Sequence, residues 1–184
     1  MSNKDSYKMI LTQNEIKKTA EKLHDNAIEQ FKPDIFLGIL DGCIPFLSDL
    51  MMFDNNYKIG VKTLKVDSYN GTTRGETIKL NLNFDLNDLT GNNVLIVDDI
   101  FDSGNTMKFI TKKLEKYAKS IKWGCLLKRE NCEEDDRLIP GSLEIKKDQF
   151  VVGYGLDYNG MYRNLQDIYE LNLGGKSQNA NQLH

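Results

Sequence analysis

The sequence carries only two histidines in 184 residues, His24 and His184, and the second ends a polar tail. A mechanism built on an imidazole base has almost no material here, so acid–base chemistry falls to carboxylates. The three cysteines, Cys43, Cys125 and Cys132, are odd in number and form no CxxC pair. Neither a disulfide framework nor a thiolate zinc centre is indicated, and they read as buried or incidental thiols. No stretch approaches the roughly 20 apolar residues of a membrane helix. The opening MSNKDSYKMILTQNE lacks the apolar core of a secretory signal. The protein is therefore expected in the cytoplasm, with no membrane partner. Basic charge is not in excess either: 24 Lys and Arg stand against 27 Asp and Glu, for a formal charge of -3. That balance provides no field for a nucleic-acid backbone, and no nucleic-acid partner is expected.

What is present is a globular composition, 40% apolar and 28% charged, in a chain of a size for one domain. We assign residues 1–173 to that domain and 174–184 to a polar, flexible tail. Thr12 and Glu15 form a capping-box pattern, and Ile16, Ala20, Leu23, Ala27 and Phe31 recur at helical spacing until Pro33; the spacing predicts a helix from about 13 to 31. Ile35 to Leu40 predicts a strand closed by Asp41-Gly42, followed by a helix through Pro45, Phe46, Leu50 and Met51. Tyr57 to Val66 and Ile78 to Phe84 predict strands on either side of a mobile loop from Asp67 to Glu76. Val94 to Val97 reads as a strand buried on both faces, with acids and a glycine just past its end. A helix carrying Met107, Ile110, Leu114 and Tyr117, a strand from Ile121 to Leu127, and a strand from Phe150 to Tyr154 follow. Strand, helix, strand in succession implies an α/β fold with a mainly parallel sheet covered by helices.

In such sheets ligands sit beyond the carboxyl ends of the strands, where helix N-termini offer unpaired N–H groups to anions. The segment Asp102-Ser103-Gly104-Asn105-Thr106 offers successive N–H donors, two hydroxyls and a glycine that lets the backbone wrap tightly, which suits a phosphate monoester. Asp98 and Asp99 would repel a phosphate directly, but suit ribose hydroxyls or a hard cation that carries other phosphates.

The run VLIVDDIFDSGNT resembles the phosphoribosyl-pyrophosphate signature of type I phosphoribosyltransferases. Lys128, the run FVVGYGLDY from Phe150 to Tyr158, and Arg163 look like the base-binding half of the hypoxanthine and hypoxanthine-guanine members of that family. The resemblance covers roughly residues 34 to 170 and implies the family's fold, a parallel sheet with a small hood formed by the N- and C-terminal segments. It implies transfer of the 5-phosphoribosyl group from phosphoribosyl pyrophosphate (PRPP) to a 6-oxopurine, with Mg2+ as cofactor, and a homodimer or homotetramer. Carried over residue by residue, Asp102 is the general base, and Asp98, Asp99, Asp102, Ser103, Gly104, Asn105 and Thr106 bind the phosphoribosyl group. Lys128, Phe150, Val151 and Asp157 bind the purine, with the Lys128 ammonium on its carbonyl and Phe150 stacked on its plane. Asp41, Gly42 and Arg163 contact pyrophosphate, Ser68 and Tyr69 belong to a closing lid, and Asp98, Asp99 and Asp157 hold metal. Two positions depart from the family: Asp41 stands where relatives often carry Lys or Arg, and Asn105 where some carry Lys. Relatives often have a non-proline cis peptide at the Asp41 position. An adenine or orotate transferase and an RNA-binding regulator of the same fold remain as alternatives at this point. A phosphorelay receiver is disfavoured, because it needs its acidic pair near the start of the chain.

Overall fold

The structure, a computed structural model of the chain, describes residues 6–54, 58–69, 77–133 and 135–172. The expected tail, 174–184, lies outside them. Strand β1 (Ser6–Leu11) leads into helix α1 (Gln13–Gln30). The start of α1 is set locally: Glu15 N donates to Thr12 Oγ1 at 3.3 Å, and Thr12 N donates back to Glu15 Oε2 at 2.8 Å, closing the predicted capping box. Its face of Ile16, Ala20, Leu23 and Ala27 is buried.

Strand β2 (Ile35–Leu40), helix α2 (Ile44–Phe53), strands β3 (Gly60–Tyr69) and β4 (Thr77–Leu82), a 3-10 turn (Leu86–Leu89), strand β5 (Asn93–Phe101), helix α3 (Asn105–Leu114) and strands β6 (Ser120–Arg129), β7 (Leu143–Ile145), β8 (Val151–Val152) and β9 (Ile168–Asn172) follow. Six strands form the main sheet in the order β4-β3-β2-β5-β6-β7. All its neighbours are parallel except β3 and β4. β1, β9 and β8 make a separate three-stranded antiparallel sheet from the two ends of the domain.

The apolar runs of β2 and β5 are buried on both faces because helices cover both sides. On one side α1 and α2 pack over Phe36, Leu95, Val97 and Leu126, and the core continues into Val151, Leu156 and Ile168 of the C-terminal part. On the other side α3 covers Leu37, Val94, Ile96 and Trp123. Trp123 is fully buried, and its Nε1 donates to Thr111 Oγ1 at 2.9 Å, which satisfies the one polar atom that such burial strands.

Four expectations need correction. β5 runs through Phe101, so Asp98 and Asp99 lie inside the strand and not past its end. β3 extends to Tyr69, pairing Ser68 with Ile78 and Tyr69 with Thr77, so the loop begins later than Asp67, and residues 70–76 lie outside the described part. The strand expected from Phe150 to Tyr154 is only Val151–Val152, because Gly153, Tyr154 and Gly155 all take positive φ, which ends extended pairing. Helix α3 ends at Leu114, so Tyr117 falls in the turn beyond it.

Candidate active site

The chain leaves β2 for α2 and β3 on one side, and β5 for α3 and β6 on the other. Between β2 and β5 the connections therefore part, and the crevice at their carboxyl ends is where an open parallel sheet binds ligands. The loops that meet there are residues 40–43 and 98–106. Leu40-Asp41 is a cis peptide, as the family resemblance implies. Gly42 is buried, and a Cβ there would overlap the Asp99 carboxylate oxygen; only hydrogen fits between this loop and β5.

Asp98 and Asp99 are 4% and 1% exposed. Burial, then the neighbouring charge of Asp99, pushes the Asp98 carboxyl well above the usual carboxylate range. The same two acids and Asp41 add to burial in pushing up the Cys43 thiol nearby. The bottom of the crevice is thus dense in carboxyl groups. Among the described residues no cluster of three or more His, Cys, Asp or Glu closes around one point.

Past β5 the backbone turns through Gly104, whose φ of 71° places it in the left-handed region and makes it the N-cap of α3. A side chain there would also press on the Phe101 ring. The turn encloses a cavity of about 90 Å³ lined by Asp98, Asp102, Ser103, Gly104, Asn105 and Thr106 among others. Sequence reasoning had singled out all of these, and the structure brings them around one anion-sized space at a helix N-terminus. Asp99 does not line it and packs under Gly42 instead. Asp102 is two-thirds exposed at the rim.

The C-terminal part approaches from above. Phe150 is half-buried and meets Tyr158 edge to face at 5.5 Å. Positive φ at Gly153, Tyr154 and Gly155 brings the chain down onto the 40–43 loop, so a Cβ on Gly155 would overlap the Gly42 carbonyl. Tyr154 Oη donates to Asp49 Oδ2 of α2 at 2.5 Å and ties the two parts together. Asp157 is engaged twice: Arg163 Nη2 lies 2.6 Å from its Oδ1, and Gly160 N donates to Oδ2 at 2.7 Å. Arg163 also donates to the Gly155 carbonyl. Asp157 and Arg163 are thus brought together as an ion pair, beside the loop of Gly42.

Other expected residues are placed differently. Lys128 lines a second, larger cavity of about 510 Å³ with Gln30, Lys122 and Glu144, among others. No residue of the phosphate loop borders that space. Ser68 and Tyr69 end β3, and the rest of the expected lid falls outside the described residues. Two residues that sequence reasoning missed stand close to the site. Lys65 of β3 extends its Nζ to 3.3 Å from Asp41 Oδ2, placing a cation beside the residue whose negative charge was unexpected. Arg129, buried at the end of β6, holds its Nε 3.8 Å from Asp102 Oδ1.

Comparison with known proteins identifies the family. Residues 6–159 match the family described as phosphoribosyl transferase domain. The hypoxanthine-guanine phosphoribosyltransferase of Streptococcus pneumoniae is 34% identical, over 91% of this chain and 94% of its own. That of Bacillus subtilis is 32% identical at the same coverage. The crystal structure of a hypoxanthine phosphoribosyltransferase from Staphylococcus aureus superposes with a TM-score of 0.75 at 31% identity, covering 90% of this chain and 91% of that one. The fold read from the signature is borne out, and the chain belongs to the phosphoribosyltransferase family.

Proposed function

We propose that the protein is a purine-salvage enzyme that transfers the 5-phosphoribosyl group of PRPP to hypoxanthine or guanine, forming IMP or GMP and releasing pyrophosphate. The observation that carries this reading is the cavity at the N-terminus of α3, with Asp102 at its rim and Asp98 inside it. In it, the backbone of residues 103–106 holds the 5-phosphate. As the bond from the anomeric carbon to pyrophosphate breaks, its electron pair leaves with the pyrophosphate and a bond to the purine nitrogen forms. Asp102 accepts the proton released from the purine ring, a step that needs only an exposed carboxylate within hydrogen-bond reach. The chain need not supply a nucleophile, because the sugar carbon develops positive charge by itself, and stabilising the departing charge dominates.

The acid-rich floor fits magnesium: Asp98 and Asp99, with Asp157, would hold it, and the shell would be completed by water and substrate oxygens, as its reluctance to dehydrate favours. When bound, it would neutralise pyrophosphate as it leaves. Arg163 and the 40–43 loop would receive that pyrophosphate. Phe150 supplies a stacking face for the base. Lys128, at the end of β6, is the cation for the purine carbonyl. Self-association as a homodimer or homotetramer belongs to the same reading, supported by Ile44, Met51 and Met52, which are left exposed on α2.

The test is to incubate the protein with PRPP and magnesium, offer hypoxanthine, guanine, xanthine, adenine and orotate separately, and quantify nucleotide and pyrophosphate. Nucleotide from a 6-oxopurine is expected, dependent on magnesium and reduced on the order of 10²- to 10⁴-fold in Asp102→Asn. Product from adenine or orotate alone, or from no base, would overturn the proposal.

A further inference from the structure

We propose that Asp49 of α2 is a positioning residue: through its bond to Tyr154 it seats the turn of residues 153–155, and with it the pair of Asp157 and Arg163, on the 40–43 loop. The inference rests on the phosphoribosyltransferase reading above. The turn has a shape that it would not keep alone. Tyr154 takes a φ of 50° between two glycines at 100° and 99°, and a bulky residue in the left-handed region persists only where its surroundings impose that conformation. Helix α2 supplies the constraint. Tyr154 Oη donates to Asp49 Oδ2 at 2.5 Å, and a Cβ on Gly155 would press on Pro45 Cδ as well as on the Gly42 carbonyl. Pro45 and Asp49 are four residues apart in α2, so they share one edge of the helix. Burial, then the bond to Asp49, pushes the Tyr154 hydroxyl above its ordinary range, so it stays protonated and a donor throughout the neutral range.

The turn fixes the residues assigned to pyrophosphate and metal. Tyr154 N donates to the Leu165 carbonyl at 2.8 Å, and Gly155 N to the Arg163 carbonyl at 3.0 Å. The Arg163 guanidinium donates back to the Gly155 carbonyl and pairs with Asp157. Residues 153–157 and 163–165 are therefore bonded into one piece, which rests on Asp49 and Gly42. Helix α2 itself starts directly after the 40–43 loop. One helix thus registers both walls of the pyrophosphate side, the loop it leaves and the turn it carries. The 5-phosphate cavity is built otherwise. Its lining comes from residues 98–107, in β5, α3 and the turn between them, and includes nothing from α2 or from 153–165. Loss of the Asp49 bond is therefore felt by pyrophosphate and not by the 5-phosphate.

The experiment compares wild type, Tyr154→Phe, Asp49→Ala, Asp49→Asn and the double variant Asp49→Ala/Tyr154→Phe. KM for PRPP is measured with hypoxanthine and magnesium saturating, together with the inhibition constants of pyrophosphate and of ribose 5-phosphate. In Tyr154→Phe and Asp49→Ala, KM for PRPP and the pyrophosphate constant are expected to rise on the order of tenfold, the size of one lost hydrogen bond to a charged group. The ribose 5-phosphate constant stays at its wild-type value. The double variant is expected to be no worse than either single one, because both residues act through one bond. Asp49→Asn keeps an acceptor oxygen for the tyrosine and should recover most of the loss. Hydrogen exchange at the amides of Tyr154 and Gly155 should quicken in the affected variants, a readout that needs no activity. A residue serving stability alone would lower Tm and move the two inhibition constants alike, or neither.

An unchanged KM in folded Tyr154→Phe, an equal rise for ribose 5-phosphate, or additive effects in the double variant would overturn the inference. Failure of both Tyr154→Phe and Asp49→Ala to fold would do so too, by making the bond a support of the whole fold. Wild type that makes no nucleotide from any 6-oxopurine, with exchange at Tyr154 still faster in the variants, would overturn the transferase reading itself and the positioning role with it.

Discussion

Gly42→Ala tests whether the two loops of the crevice meet as closely as the structure has them. Gly42 is buried, its φ lies outside the left-handed region, and the added methyl would overlap the Asp99 carboxylate. The cost is therefore steric and not conformational. Overpacking of this kind typically costs about 1–3 kcal/mol, which for a chain of this size lowers Tm by roughly 2–12 °C. Relief requires either Asp99 or the 40–43 loop to move, and small displacements in a site that works by positioning are expensive. KM for PRPP is expected to rise about tenfold or more. Gly91→Ala is the control: it has φ of 78° and nothing within 4 Å, so it should lower stability by about 1–2 kcal/mol through backbone strain alone and leave KM untouched. Thermal unfolding followed by circular dichroism and steady-state kinetics with varied PRPP give the two quantities. If Gly42→Ala kept both Tm and KM at their wild-type values, Asp99 would not be packed beneath the loop and the account of the crevice would be wrong.

Three other measurements bear on separate features. Removing the charge in Asp41→Asn leaves Lys65 to face pyrophosphate without its 3.3 Å partner; KM for PRPP should fall about two- to fivefold, as suits an exposed charge, and the difference should fade at high salt. An Asp41→Asn enzyme with unaltered KM at low salt would show that this loop does not face the leaving group. The Asp135 carboxyl is held below its usual range chiefly by the hydrogen bond from Arg137. Because the folded value is depressed, that stabilisation is complete above the unfolded value of about 3.9 and is lost as pH falls through the lower folded value. The stability gap between wild type and Arg137→Met, measured by urea unfolding, should accordingly narrow below about pH 4; a gap independent of pH would assign the cost to the stacking of Arg137 on Trp123 at 4.3 Å. Burial pushes all three thiols up, and Cys43 and Cys125 are the two fully enclosed ones. Alkylation of the native protein at pH 8, mapped by mass spectrometry, should therefore be slow and begin at Cys132. Rapid labelling of Cys43 would mean that the start of α2 is open.

Features resting on neighbours in the chain were readable before folding. The start of α1 depends on Thr12 and Glu15, three residues apart, and its end on Phe31 and Pro33. The phosphate loop is contiguous, so its chemistry is written in one segment whatever the rest of the chain does. The continuous apolar runs of β2, β5 and β6 required burial on both faces, and that requirement implied the parallel sheet. Features resting on distant pairing were not readable. Strand β1 exists because β9, from the far end of the domain, supplies its hydrogen bonds, and β7 and β8 are too short to show a period. Glycine at 42 and 155 could be named from the family pattern, but the carboxylate and carbonyl that exclude any side chain there belong to other loops. The approach of Arg129 to Asp102, at 3.8 Å, is of the same kind. Composition places two cations side by side, and only the register of β6 against β5 decides which of them faces Asp102, because the side-chain direction of a strand is set by its partner and not by its own residues.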